Sequence, residues 1–71
     1  MFKNVKAEMA RKGFSLNKTV EELEKVGEFM TVGTLFNKLK GKTKFTFNEA
    51  VALKKVLGTD MPLEELFEEA V

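Results

Sequence analysis

Cysteine, histidine, tryptophan and tyrosine are all absent from this 71-residue chain. Without cysteine there is no disulfide framework and no thiol chemistry, and without histidine the usual zinc sites are missing. The single serine, Ser15, has no base to activate it, and no glycine loop of the phosphate-binding type is present, so the chain is expected not to be an enzyme. No apolar run is long enough to span a bilayer or serve as a signal peptide. A cytoplasmic protein is therefore expected, with no membrane partner, no cofactor and no small-molecule substrate. Residues 1–71 are expected to form one domain, held by packing alone, with a net stability on the order of a few kcal/mol.

Acidic residues are missing from one internal stretch. None occurs between Glu28 and Glu49, while Lys38, Lys40, Lys42 and Lys44 fall at every second position. The formal charge of +1 hides this segregation: residues 1–18 carry +4, 19–28 carry −3, 29–48 carry +4 and 59–71 carry −5. A duplex backbone would attract the lysine segment, while the neighbouring acidic runs would weaken that attraction. The plain alternative is that each run is a solvated helix face that keeps a small domain soluble. The acids Glu21, Glu24 and Glu28, and Glu64, Glu65, Glu68 and Glu69, are read as such surfaces and not as cation sites.

Hydrophobic periodicity predicts an all-α chain of five helices. Phe2, Val5, Met9 and Ala10 repeat at the helical period and Gly13 follows, which predicts a first helix over Phe2–Lys12 with Lys3, Lys6, Arg11 and Lys12 on its outer face. Either Ser15 or Thr19 can cap the second helix, and Thr19 with Glu22 fits a capping box. Leu16, Val20 and Leu23 then form its stripe, and Gly27 interrupts it before a turn in which Phe29 and Met30 are expected to be buried anchors. Thr31 caps a third helix running to Lys40 and ended by Gly41, with Leu35 and Leu39 facing inward. Thr46 and Glu49 make a second capping box for a fourth helix, with Phe47, Ala50, Val51, Leu53 and Leu57 at core spacing before Gly58. A fifth starts near Pro62, with Asp60 as an available cap and Leu63, Leu66 and Phe67 as its buried face.

These elements carry a family resemblance. A basic first helix, the short helix TVGTLFNKLKG, the loop GKTKFT, the helix FNEAVALKKVLG and the terminal MPLEELF follow one another over nearly the whole chain. That order resembles the helix-turn-helix domains of the Cro and phage-repressor family (XRE-type). The most specific part is Thr34-Leu35, then Asn37-Lys38-Leu39, Gly41-Lys42 and Phe45-Thr46. The resemblance implies a compact five-helix bundle of the lambda-repressor type, acting as a small DNA-binding transcriptional regulator, with double-stranded DNA as its partner and a homodimer on repeated half-sites. It also implies that the third helix lies in the major groove. Thr31, Val32, Gly33, Thr34, Phe36 and Asn37 would then face the bases, with Thr31 and Thr34 at base edges, Val32 on a thymine methyl and Asn37 on adenine. Lys38, Lys40, Lys42 and Lys44, with the backbone N–H groups around Thr43, would hold phosphates.

The chain departs from the family pattern between Ser15 and Thr31, a segment about five residues longer than in relatives. Leu16 stands where relatives often carry a glutamine that touches phosphate, and Glu21, Glu22, Glu24 and Glu28 add negative charge to the second helix. The reading face is chemically sparse: Val32 and Gly33 offer no side-chain hydrogen bond, and it carries no arginine for guanine. Gly33 either permits a close backbone approach or is neutral in a first turn. Phe36 is a core residue, an apolar contact to thymine or a partner, or a tolerated exposed aromatic. The competing expectation is thus a remodelled helix-turn-helix scaffold, engineered or natural, that makes protein contacts in place of reading DNA.

Overall fold

The computed structural model describes residues 2–68, and among these the chain is all-helical: α1 (Lys3–Lys12), α2 (Leu16–Lys25), α3 (Val32–Leu39), α4 (Phe47–Leu57) and α5 (Leu63–Leu66). The starts of α2, α3 and α4 follow from side-chain caps. Ser15, Thr31 and Thr46 have extended backbones, and their hydroxyls accept from Lys18 N, Thr34 N and Glu49 N. Each thereby satisfies one of the free N–H groups of a first turn. At α4 the box is complete, because the Glu49 carboxylate accepts from Thr46 N at 2.8 Å.

Between the two candidate caps of α2 the structure selects Ser15. Thr19 lies inside the helix, fully buried, and its hydroxyl donates to the Ser15 carbonyl at 2.8 Å. Buried against other helices, that hydroxyl needs a partner, and the preceding turn supplies one. Thr19 therefore does not pair with Glu22 in a capping box. Phe2 is the N-cap of α1 and not its first residue. At the other end of the chain Pro62 is the N-cap of α5, where its carbonyl accepts from Leu66 N at 2.8 Å. Asp60 makes no cap: the helix begins at Leu63 without any side-chain cap bond.

Two glycines shape the segment around α3. After α2, Gly27 adopts φ 85°, Gly27 N donates to Glu24 O and Glu28 N to Leu23 O. After α3, Gly41 adopts φ 86°, Gly41 N donates to Lys38 O and Lys42 N to Asn37 O. Both are Schellman ends, which need a left-handed residue that glycine occupies without steric cost. Nothing lies within 4 Å of a Cβ added at Gly41, so Gly41→Ala is opposed by backbone conformation alone. It should cost about 1–2 kcal/mol, read as a lowered urea midpoint.

The core is built on α4. Helices α1, α2 and α5 each pack against it, and α3 is carried on α2. Val5, Leu23, Leu35, Leu53, Leu57 and Leu66 are essentially sealed from solvent. At one end Phe2, Phe45 and Phe67 pack edge-to-face with centroids 5.1–5.7 Å apart, a geometry that sets positive ring edges against negative faces. Asn4 Nδ2 donates to Glu65 O at 2.8 Å and Arg11 to Leu57 O at 3.2 Å, tying α1 to the two C-terminal helices.

Two aromatic residues expected inside lie outside. Phe29 is 72% exposed, because after the Gly27 reversal Met30 takes the inward position in the turn. Phe47 is 74% exposed. It begins α4 roughly 100° around the helix from the Leu53–Leu57 stripe, so the core face turns away from it. Among the described residues no helix is long and apolar enough to cross a membrane.

Candidate nucleic-acid interface

Helix α3 is presented by a six-residue connection, residues 26–31, that follows the Schellman end of α2. Leu35 and Leu39 anchor it to the core, which leaves Thr31, Gly33, Thr34 and Phe36 exposed and Val32 and Asn37 half-buried. Its first turn is tightly hydrogen bonded. The Thr31 hydroxyl accepts from Thr34 N at 3.1 Å and donates to the Thr34 hydroxyl at 2.9 Å. The two hydroxyls share one hydrogen bond, which leaves one proton of the pair for an outside acceptor. At Gly33 a Cβ would meet only Thr31 Oγ1, at 4.0 Å. No close packing requires glycine there.

Phe36 is neither a core residue nor fully free. It is 46% exposed, beside an apolar groove formed with Met9, Phe14, Leu16 and Leu39. Lys40 Nζ lies 5.0 Å from its ring centroid, where the negative ring face attracts the ammonium.

The four alternate lysines separate into two kinds. Lys38 is 8% exposed, and its ammonium lies 2.9 Å from Glu49 Oε1 and donates to Lys44 O at 2.9 Å. The expectation that Lys38 holds a phosphate is corrected: its charge is neutralised and enclosed, joining α3 to the loop and to the start of α4. Lys40, Lys42 and Lys44 are exposed, as is Thr43, and among the described residues these three lysines make no ion pair. Lys38 is the last inward-facing lysine, Lys40 stands exposed at the C-cap of α3, and Lys42 and Lys44 are exposed after the Gly41 reversal.

Glu49 is held in its charged form by the same arrangement. Burial alone would raise its pKa, but the Thr46 N–H and the Lys38 ammonium outweigh it and leave the carboxyl below its ordinary value of 4.5. On α2, Glu22 sits between Lys18 at 3.2 Å and Lys25 at 2.9 Å. Those neighbours lower its pKa, with the Lys25 hydrogen bond contributing most. Glu21 and Glu24 face solvent. The acidic character of α2 is thus reduced at one of its glutamates and retained at two.

The pairing of Lys38 with Glu49 carries no local sequence signal, since the residues are eleven positions apart and Glu49 is already accounted for as a capping residue. Only the approach of α4 to the end of α3 reveals it. Comparisons with family models, with curated proteins and with solved structures find no match to this chain.

Proposed function

We propose that this chain is a small phage-type helix-turn-helix DNA-binding regulator, with α3 in the major groove and Lys40, Lys42 and Lys44 on the flanking phosphates. The observation that carries the reading is the row of three exposed lysines, free of ion pairs among the described residues, where α3 ends. Cations without a carboxylate partner keep their full charge for a duplex and displace its counterions. On the helix itself the remaining proton of the Thr31–Thr34 pair and the Asn37 amide suit base edges, and Val32 suits a thymine methyl. With no arginine on this face, backbone contacts contribute most of the affinity and discrimination among sequences is thin.

The test is fluorescence anisotropy of a labelled mixed-sequence duplex at about 50 and about 200 mM salt. Three phosphate contacts give a log-log slope near −2.7, which corresponds to about a 40-fold loss of affinity over that range. Lys42→Ala should reduce the slope by about one unit, and Lys38→Met should leave it unchanged because Lys38 is already paired.

A remodelled scaffold that makes protein contacts is the competing reading, favoured by the exposed Phe36 on α3 and by Glu21 and Glu24 on α2. Absence of duplex binding at about 50 mM salt would decide for it.

A further inference from the structure

We infer that the groove between α1, the start of α2 and α3 binds a small amphipathic anion, a ligand with an apolar chain or ring and an anionic head. The groove has a volume of about 360 Å³. The core residues Met9 and Leu39 line its inner side, and the half-buried Phe14 and Leu16 stand around them with Phe36. A largely apolar concavity of this size, with a few polar groups at its border, is what a small-molecule site requires, and it accommodates one alkyl chain or ring system.

The apolar lining exceeds what the fold needs. Leu35 and Leu39 already anchor α3 to the core, so a polar residue in place of Phe36 would leave that anchoring unchanged, yet position 36 carries an aromatic ring that is 46% exposed. The groove is assembled from two helices and the first residue of a third, which fixes its shape through the packed core and not through a loop.

Charge identifies the head of the ligand. The polar residues that border the groove are Lys6, on α1, and Lys40, at the C-cap of α3, and among the described residues no acid lines it. Neither lysine makes an ion pair among the described residues. An apolar chain laid against Met9 and Leu39 leaves its head at a border whose charges are both positive. That border attracts a carboxylate, sulfate or phosphate head and repels an ammonium. The lysine stems add apolar cover to the chain while their ammonium groups stay in water.

One consequence rests on the DNA reading proposed above. Phe36 and Lys40 belong to α3 and its end, so an anion held here occupies one of the three phosphate lysines. Saturation with it should lower the salt slope of duplex binding by about one unit. The site itself is measured without DNA. A protein that takes the anion but no duplex would keep this site and lose that reading, and one that takes duplex but no anion would do the reverse.

Titration of the full chain with octanoate at about 20 mM salt, followed by NMR, tests the site. About ten non-hydrogen atoms in a half-open groove give a Kd of about 0.5–5 mM, and contacts should run from the octanoate chain to the Met9 and Leu39 methyl groups. Octylammonium, with the same chain and the opposite charge, should bind about tenfold more weakly. Lys6→Glu with Lys40→Glu should reverse that preference. Ala10→Phe, at an exposed position of α1 that also lines the groove, should fill it and abolish saturable binding. Circular dichroism melting verifies that each variant is folded. Octylammonium bound as tightly as octanoate, a preference that survives the double reversal, an Ala10→Phe variant that binds like the parent, or contacts that avoid Met9 and Leu39 would each overturn the inference.

Discussion

Leu35→Ala is expected to lower the thermal midpoint by about 12–24 °C, whereas Phe47→Ala should move it by no more than about 4 °C. Leu35 is 0% exposed and lies where α3 meets the rest of the core, so its truncation removes buried methyl groups and leaves a cavity. A cost of about 3 kcal/mol is typical of such a site, and a chain this short has only about 4–10 kcal/mol in total. Each kcal/mol shifts the midpoint of so small a domain by about 4–8 °C. Phe47 is the larger side chain, yet most of its surface is already in water. Circular dichroism melts of the two variants decide the point: comparable shifts would show that the core does not lie where described.

Glu49→Ala is expected to cost about 2–3 kcal/mol, and Lys38→Met less than about 1 kcal/mol, although the two residues form one ion pair. Removing Glu49 takes away half of the Thr46 capping box and leaves the enclosed Lys38 ammonium with one hydrogen bond, to the Lys44 carbonyl, beside the Phe45 ring. Removing Lys38 in favour of a flexible apolar chain leaves Glu49 still bonded to Thr46 N, with the capping box intact and no orphaned cation. Equal costs in urea titrations would contradict this account. The same pair sets an acid limit. Because the Glu49 pKa is lowered in the folded protein, its stabilising contribution is complete above the unfolded value near 4.5 and is lost as pH falls through the lower folded value. The midpoint of the unmodified protein should therefore drop on acidification below about pH 4.5, and that of Glu49→Gln should drop less.

Much of the fold is legible in short windows. Thr31 before VGTLF and the Thr46–Glu49 box announce the starts of α3 and α4, and Gly27, Gly41 and Gly58 announce the ends of α2, α3 and α4. Ser15 and Thr19 show where such reading stops. Both have the chemistry of a cap, and only the burial of Thr19 against other helices assigns the role to Ser15. Phe45 and Phe47 make the same point two residues apart: one joins the Phe2 and Phe67 rings and the other faces water, because α4 begins between them.

The candidate interface was legible as a block of positive charge but not in its composition. Spacing treats Lys38, Lys40, Lys42 and Lys44 alike. The tertiary structure removes Lys38 into a pair with Glu49, and the first turn of α3 engages the Thr31 and Thr34 hydroxyls with each other.

By itself, then, the sequence determined the five helices and most of their limits, because caps, boxes and Schellman ends are hydrogen bonds closed within about six residues. Only the packing of α3 and α4 decided which lysines keep their charge in solvent and which aromatic rings stay outside, because those outcomes depend on surfaces contributed by residues distant in the chain.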